Sequence, residues 1–419
     1  MLTEKNIAIV KATAPILAEK GEELTRYFYK RMFSHNPDVL KLFNPAHQST
    51  GTQQKALAGA ICAYAANIDN LEALTNAVEI ITQKHVSLRI LPEHYPIVGE
   101  NLLESIKAVL GDAATEDIVE AWKEAYFFLA DILIGKEENI YKAQENLIGG
   151  WRGFKNFRVI KKVKESDVIT SFYLEPEDKS SLPVFYPGQF ITVRVPSPAS
   201  GTTMRNYSLS DKPNQKHFRI SVKREASKNQ GNPEGYVSNF LHNKIMEGNI
   251  VELAPPSGTF YIDTSQSYNR PLVLLAAGIG ITPLLSMLLE SLEKNPTRKI
   301  VLIYASLNEN TQAFKHTLDN LCLVHNNLTV HYRYSRSETH GVKRQLSKSV
   351  SEGFVDMNLV LDLVESPNAD FYFCGPKPFM LNLYHGLKRW KVPESQIHFE
   401  FFGPLEDLET SLETSESAN

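Results

Sequence analysis

The period of the hydrophobic pattern changes twice along the chain. Up to about residue 150, apolar residues recur at helical spacing. They form three stripes, which are Leu57, Ile61, Tyr64 and Ile68; Leu74, Val78, Ile81, His85 and Leu88; and Ile118, Trp122, Ala125, Leu129 and Ile132. After Gly149-Gly150, apolar and polar residues alternate, as in half-buried strands. From about Arg270, apolar runs of strand length are separated by helical stretches. The pattern predicts an all-α domain, a small β-domain and a parallel α/β domain.

The predicted strands fall into two groups. The alternating group, which predicts a barrel, comprises Phe157 to Val163, Phe190 to Val195, Phe218 to Val222 and Val251 to Leu253. The apolar group comprises Leu272 to Ala277, Ile300 to Ala305, Leu328 to Tyr334 and Phe371 to Cys374. We place the domains at 1–148, 151–265 and 270–404. Residues 405–419 contain five acidic and no basic residues, so we expect a disordered acidic tail.

One uncharged run, PLVLLAAGIGITPLLSMLL from Pro271 to Leu289, is long enough to suggest a membrane span. Gly278 and Gly280 interrupt the run near its middle. Thr282-Pro283 has the pattern of a helix N-cap followed by proline at the first helical position. The segment therefore predicts a strand, a tight turn and a helix.

Composition narrows the class of ligand. A chain of 419 residues, 42% hydrophobic and 22% charged, is expected to form two or three globular domains. Its net charge of -4 provides no electrostatic basis for binding nucleic acid or an anionic membrane, so we expect small-molecule ligands. Cys62, Cys322 and Cys374 are too far apart for a CxxC site, which favours a reducing compartment. The N-terminus lacks the pattern of a signal peptide, and we expect a cytoplasmic protein without an obligatory protein partner.

Three short motifs in the second and third domains have the residues needed to bind a dinucleotide. RNYS, at Arg205 to Ser208, offers a guanidinium, an aromatic ring and a hydroxyl group. GYVSNFLH, at Gly235 to His242, places a glycine turn before a predicted helix whose first amides can bind phosphate. GIGITP, at Gly278 to Pro283, follows a buried strand, although it is not the GxGxxG fingerprint. Taken alone, RNYS is more often an ordinary strand, and GYVSN more often an ordinary turn and cap.

With FCGP at Phe373 to Pro376 and FFGP at Phe401 to Pro404, the ordered set resembles the ferredoxin-NADP reductase family of flavoenzymes. The resemblance implies FAD contacts from Phe190, Arg205, Asn206, Tyr207 and Ser208, and diphosphate contacts from Gly235, Tyr236, Val237 and Ser238. It implies nicotinamide-nucleotide contacts from Gly278, Ile279, Gly280, Ile281, Thr282, Pro283, Cys374, Gly375 and Pro376. Phe401, Phe402, Gly403 and Pro404 would cover the flavin. Many related sequences have tyrosine where this chain has Phe190.

In the helical domain, a lone inward histidine such as His85 is more often a core residue than a metal ligand. The reductase changes this expectation, because a flavin can pass electrons singly to haem iron. The helical domain contains six further motifs: RYFYKRMF (Arg26 to Phe33), LFN (Leu42 to Asn44), QQKAL (Gln53 to Leu57), KH (Lys84-His85), PEHY (Pro92 to Tyr95) and KEENIY (Lys136 to Tyr141). With the reductase motifs they resemble the flavohaemoglobins, in which a globin domain precedes a β-barrel FAD-binding domain and an α/β NAD(P)-binding domain.

This resemblance implies a role for each residue of the helical motifs. His85 would be the proximal ligand of haem iron, supported by Tyr95 and Glu137. Tyr29, Gln53 and Leu57 would line the distal pocket, Phe28 and Phe43 would pack on the haem, and Lys84 and Glu400 would tune electron transfer. Glu138, next to Glu137, is an alternative for the supporting carboxylate. We expect His94 to be an exposed residue without a role.

The implied activity is nitric oxide dioxygenation, which converts nitric oxide and oxygen to nitrate and thereby detoxifies nitric oxide. Electrons would pass from NADH or NADPH through FAD to haem b, with one haem and one FAD per chain. The alternatives are a haem oxidase or reductase acting on oxygen or hydroperoxides, a haem gas sensor, and a helical interaction module without haem. Arg333 and Arg336 could meet a 2'-phosphate or face solvent, so the choice between NADH and NADPH stays open.

Overall fold

The computed structural model describes residues 2–43, 52–226, 234–265, 270–336 and 348–402. Six α-helices come first: α1 (Glu4–Glu19), α2 (Gly21–His35), α3 (Thr52–Ala66), α4 (Thr75–Ser87), α5 (His94–Leu110) and α6 (Glu116–Asn146). Thr3 and Thr115 are the N-caps of α1 and α6, where their side chains accept from backbone amides. These helices bury a large apolar core, which includes Val10, Phe28 and Trp122, and a smaller cluster that includes Val78 and Tyr95. The predicted all-α domain is therefore present.

A six-stranded antiparallel sheet follows. Its strands are β1 (Lys155–Lys164), β2 (Ile169–Pro176), β3 (Phe190–Ser197), β4 (Gly201–Ser208), β5 (Phe218–Lys223) and β6 (Ile250–Leu253), in the order β4-β3-β6-β1-β2-β5. Helix α7 (Tyr236–Lys244) packs against it. Leu209, directly after β4, bridges to Ile220 on β5. Because β4 and β5 are the two edges, this bridge closes the sheet into the predicted barrel.

The third unit is a parallel sheet of six strands. These are β7 (Leu272–Ala277), β8 (Ile300–Ser306), β9 (Leu328–Tyr334), β10 (Lys348–Glu352), β11 (Asp370–Cys374) and β12 (Ile397–Glu400), in the order β10-β9-β8-β7-β11-β12. Its helices are α8 (Ile281–Lys294), α9 (Lys315–Val324), α10 (Met357–Leu363) and α11 (Lys377–Arg389). The strand order reverses between β7 and β11. Ligands of open α/β sheets bind at such a switch point, beyond the carboxyl ends of the strands.

The uncharged run at Pro271 to Leu289 forms strand β7, a 3-10 turn at Gly278–Gly280 and helix α8, as predicted. The predicted N-cap is wrong. Gly280 is the cap, and the Thr282 hydroxyl donates to the Ile279 carbonyl at 2.9 Å from within the helix. The 3-10 turn leads directly into the helix, so the start shifts by two residues. Pro283 is tolerated because first-turn amides need no intrahelical acceptor.

The predicted fold class, an all-α domain followed by a barrel and an α/β domain, is confirmed. Within the described ranges, no helix is long and apolar enough to cross a membrane. The domain limits at 148, 151, 265, 270 and 404 stay predictions. The acidic tail, together with Gly403 and Pro404, lies outside the described residues.

Candidate functional site

His85 lies near the carboxyl end of α4, where one edge of its imidazole ring is fully engaged. Its Nδ1 atom is 2.7 Å from Glu137 Oε1 on α6 and 3.1 Å from the Tyr95 hydroxyl on α5. The Tyr95 hydroxyl donates to the same Glu137 oxygen at 2.6 Å. Burial, followed by the effect of Glu137, raises the pKa of Tyr95 well above its usual value, so the phenol keeps its proton. The three side chains form one network.

The network includes only one of the two adjacent glutamates. Glu137 is 2% exposed and faces His85. Glu138 points away and pairs with Arg152, which also holds the pKa of the Glu138 carboxyl below its ordinary value. The geometry therefore favours Glu137 as the supporting carboxylate. His94, predicted to be exposed, is half-buried, and its Nδ1 accepts from the Leu91 amide at 2.9 Å within the turn that precedes α5.

The free edge of the His85 imidazole ring is suited to a metal carried by a prosthetic group. Among the described residues, Nε2 has no hydrogen-bond partner, and a third of the side chain is exposed. No group of three or more histidine, cysteine or acidic side chains in the described ranges could hold a metal ion. Haem iron requires no such group, because the macrocycle supplies the other ligands. With Nδ1 occupied and Nε2 available, His85 fits a haem.

The predicted distal residues come from α2, α3 and the segment between them. Tyr29 and Phe28 are buried, and their ring centroids are 4.9 Å apart. Phe43 lies edge-on to Tyr29 at 5.7 Å. Gln53 and Leu57, on the first turns of α3, are half-buried. The structure thus gathers Tyr29, Phe28 and Phe43 into one aromatic cluster.

On the barrel, the predicted flavin residues occupy neighbouring strands. Phe190 on β3 is directly opposite Ser208 on β4. The Ser208 hydroxyl is buried without a hydrogen-bond partner among the described residues, which is costly unless a ligand supplies one. The Arg205 guanidinium donates to the Met204 carbonyl at 2.6 Å, and burial lowers the pKa of Arg205. A partly desolvated cation and an unsatisfied hydroxyl on the same strand are groups that a flavin dinucleotide could satisfy.

Two glycines bring backbone close to this region. A Cβ atom on Gly258 would lie 2.8 Å from the Phe190 ring, so only glycine allows this approach. Gly235 is the N-cap of α7, where a Cβ atom would meet Glu225 and Ser238. The first amides of α7, from Tyr236 to Ser238, have no intrahelical acceptors and can bind phosphate. These positions fit the predicted diphosphate site.

The two predicted nucleotide motifs meet at the switch point of the parallel sheet. A Cβ atom on Gly280 would be 2.1 Å from the Cys374 carbonyl oxygen, so GIGITP and FCGP are in direct backbone contact. Gly278 has a φ of +57°, a conformation that favours glycine. A Cβ atom on Gly375 would lie 2.7 Å from the Phe379 side chain and 2.8 Å from the Ala277 side chain. The geometry therefore supports a nucleotide site between β7 and β11.

Glu400, at the end of β12, carries a buried carboxyl oxygen without a partner in the described residues. Burial raises the pKa of Glu400 to about 8, while Lys84 on α4 lowers it by a smaller amount. The charge of the globin-side lysine thus acts on the reductase-side carboxyl, and the role of this pair in electron transfer stays a prediction. Phe401 is half-buried and Phe402 exposed.

The sequence reasoning missed Ser87, Gln83 and Gln144, which lie at the junction between the helical domain and the barrel. Ser87, on α4, accepts at 3.2 Å from the side chain of Asn206, which was predicted to contact the flavin. Gln83 accepts from the Gly258 amide at 3.1 Å, and Gln144 donates to the Ser257 hydroxyl at 2.9 Å. These contacts join residues 119, 175 and 113 positions apart, so no local spacing reveals them.

Comparison with known families matches each domain separately. The model described as Globin matches residues 26–133, the one described as Oxidoreductase FAD-binding domain matches 156–262, and the one described as Oxidoreductase NAD-binding domain matches 274–384. These matches confirm the predicted cofactor classes, which are haem, FAD and a nicotinamide nucleotide. They also make the chain an oxidoreductase.

Whole-chain relatives identify the combination of domains. A protein of Rhodopirellula baltica named Flavohemoprotein is 50% identical over 97% of this chain and 99% of its own length. The chain belongs to the flavohaemoprotein family. A second flavohaemoprotein, from Halalkalibacterium halodurans, is 46% identical over 98% of this chain and 99% of its own.

Solved structures show the same architecture. The flavohaemoglobin of Malassezia yamatoensis, with bound FAD and haem, is 27% identical and covers 96% of this flavohaemoprotein and 100% of its own chain, at a TM-score of 0.81. The FAD/NAD-binding domain of a Vibrio cholerae nitric oxide dioxygenase is 31% identical at a TM-score of 0.51. It covers 60% of this chain and 99% of its own.

Proposed function

We propose that this flavohaemoprotein is an NAD(P)H-dependent nitric oxide dioxygenase that converts nitric oxide and oxygen to nitrate. The observation that carries the proposal is the His85–Glu137–Tyr95 network, because a carboxylate bonded to Nδ1 makes the imidazole a stronger electron donor to a metal. An electron-rich ligand favours activation of oxygen over simple carriage. The Vibrio cholerae relative, named as a nitric oxide dioxygenase, supports the same activity.

Each element of the network has a defined task. Glu137 accepts the Nδ1 proton of His85, which fixes the tautomer in which Nε2 carries the lone pair. Tyr95 donates to the same carboxylate and holds its orientation. Tyr29, Gln53 and Leu57 would bound the opposite side of the pocket, where Tyr29 has a hydroxyl to donate, while Phe28 and Phe43 would pack on the macrocycle.

The reductase residues bind and orient the electron donor. When bound, FAD accepts a hydride and releases single electrons, and haem supplies the iron at which oxygen and nitric oxide react. Arg205 would neutralise the diphosphate, and Tyr207 and Phe190 would pack on the flavin. The Ser208 hydroxyl would hydrogen-bond to a polar atom of the flavin. Gly278 to Pro283 and Cys374 to Pro376 would hold the nicotinamide nucleotide. Lys84 and Glu400 would adjust the electron transfer between flavin and haem.

We propose the domain limits at 1–148, 151–265 and 270–404, and a cytoplasmic location without an obligatory protein partner. The choice between NADH and NADPH stays open. Arg333 is held by the Ser351 hydroxyl at 2.8 Å and the Phe354 carbonyl at 3.1 Å, so it is less available to a 2'-phosphate.

Turnover with and without nitric oxide tests the proposal. NADH consumption in air should accelerate when nitric oxide is added, and nitrate should accumulate. Equal consumption under both conditions would favour an oxidase or a hydroperoxide reductase. Slow consumption under every gas would favour a sensor, and the absence of a Soret band would favour a domain without haem.

A further inference from the structure

Strand β4 has two faces with different neighbours. Successive side chains along a strand point in opposite directions. Tyr207 packs against the barrel core, whereas Met204, which is 5% exposed, belongs to the apolar core of the globin domain. Asn206 is on the same face as Met204. The strand that carries the RNYS motif is therefore also the strand that contacts the globin domain.

A hydrogen-bonded chain leads from this strand to the residue before His85. The Thr192 hydroxyl of β3 donates to Asn206 Oδ1 at 2.8 Å, and Asn206 Nδ2 donates to the Ser87 hydroxyl at 3.2 Å. The Ser87 hydroxyl then donates to the Lys84 carbonyl at 2.8 Å. Ser87 is 1% exposed and the three hydrogen bonds are partly buried, so leaving the Ser87 hydroxyl without a partner would be costly.

A second contact is one helical turn away. Gln83 Oε1 accepts from the Gly258 amide, and Gly258 packs against the Phe190 ring. Gln83 and Ser87 are four residues apart, so they share one face of α4. His85 is between them in sequence and projects from the opposite face. Helix α4 thus contacts the barrel on one side and presents its histidine on the other.

We propose that Ser87, Gln83 and Asn206 form an interdomain clasp that positions the flavin strand relative to the proximal helix and so controls electron transfer from flavin to haem. The proposal rests on the proposed electron path. Asn206 and Ser87 act through the placement of β4 and α4, so they are positioning residues. Hydride transfer to FAD takes place entirely on the reductase side and is independent of the clasp.

The decisive variant is Ser87→Ala combined with Gln83→Ala. Ser105→Ala is the matched control, since Ser105 is also fully buried and donates to a backbone carbonyl one turn earlier, Asn101, but within the globin domain. Anaerobic stopped flow separates flavin reduction by NADH from the reduction of haem. A displacement of about 1 Å can cost up to about 100-fold in rate. We expect haem reduction to slow about 10-fold in the double variant, within that range.

Hydrogen exchange of the Gly258 amide gives a readout that requires no turnover, because exchange reports opening of the junction. Ser87→Ala alone does not touch Gly258. If the contacts form one clasp, the variant should still accelerate Gly258 exchange, by about 2- to 10-fold for the loss of one hydrogen bond. Ser105→Ala should leave both measurements unchanged.

The proposal requires slower haem reduction in the double variant, faster Gly258 exchange in Ser87→Ala, and flavin reduction at the wild-type rate in both. Haem reduction at the wild-type rate would overturn it, even if exchange rises, because the contacts would then be purely structural. Slower haem reduction with unchanged exchange, or slower flavin reduction, would overturn it as well. None of these steps involves nitric oxide, so failure of the dioxygenase proposal would be seen separately.

Discussion

The proximal side of the haem site and the flavin side of the reductase differ in the hydrogen bonding of their buried polar groups. Around His85, the Nδ1 atom, the Tyr95 hydroxyl and the Glu137 carboxylate satisfy one another. On the flavin side, the Ser208 hydroxyl and a Glu400 oxygen are buried without a partner in the described residues. A metal ligand has to be oriented by the protein before the metal binds, whereas a flavin site keeps polar atoms available for the ligand.

The largest expected effect separates the two sides completely. His85→Ala should abolish haem binding, because it removes the predicted iron ligand, and nitric oxide consumption should be lost with it. NADH-dependent reduction of an artificial acceptor such as ferricyanide should continue, since RNYS and GIGITP lie in other domains. The Soret band and acceptor turnover are the measurements.

His35→Ala, which removes an exposed histidine at the end of α2, is the control for this variant and should retain the Soret band. Loss of both haem and acceptor turnover in a folded His85→Ala protein would show that the two sides are not separable.

The distal side gives the next largest effect. Tyr29→Phe keeps the ring that packs on Phe28 and Phe43 and removes only the hydroxyl group. A hydrogen bond to a charged ligand is worth roughly 1.5 to 3 kcal/mol. The rate at which the reduced protein loses oxygen should rise about 10- to 100-fold, at about 1.4 kcal/mol per decade. Stopped-flow displacement by carbon monoxide measures this rate, and a change below about twofold, far less than such a bond implies, would transfer the distal role to Gln53 or another group.

A pair of substitutions tests directly whether buried polar groups are satisfied on the proximal side and unsatisfied on the flavin side. Glu137→Gln replaces two charge-assisted hydrogen bonds to one carboxylate oxygen with weaker bonds to a neutral amide oxygen, so the cofactor-free chain should lose about 1 to 3 kcal/mol of stability. Ser208→Ala removes a hydroxyl that has no described partner, so the FAD-free chain should be as stable as the wild type or more so. FAD should nevertheless bind about 2- to 10-fold more weakly to Ser208→Ala.

Thermal unfolding of the cofactor-free proteins and fluorescence titration with FAD provide these two quantities. A clear loss of stability in FAD-free Ser208→Ala would mean that its hydroxyl already has a protein partner, and the contrast with Glu137 would disappear.

A further expected effect is a pH dependence from Glu400. Burial raises the pKa of its carboxyl to about 8 in the folded protein, so the folded state binds an extra proton between the ordinary glutamate pKa and pH 8. Stability contributed by this group is therefore lost as pH rises through that window. The melting temperature of the wild type should fall relative to Glu400→Gln between pH 5 and pH 8. A constant difference would show that Glu400 is ionised throughout.

The sequence predicted eight of the twelve described strands, because apolar runs and alternation are local signals. Four strands were missed: β4 and β10 are polar edge strands, β12 has only four residues, and β2, ITSFYLEP, is buried on both faces and does not alternate. The start of α8 shifted because a 3-10 turn extends the helix backwards. The exposure of His94 was predicted wrongly because its burial depends on the turn from Leu91 to His94, which the spacing of residues does not show. The junction contacts of Ser87 and Gln83 depend on how the domains dock, which no short motif encodes.

The central claim is that single electrons taken from NADH are used to oxidise nitric oxide with oxygen. Formation of nitrate from nitric oxide and oxygen consumes one electron, and NADH supplies a hydride, so about two nitrates should form per NADH. Parallel measurement of NADH loss and nitrate in the haem- and FAD-loaded protein tests this most directly. A ratio near two, present only when both gases are supplied, is the predicted result. NADH consumption that is unaffected by nitric oxide, with no nitrate formed, would contradict the account.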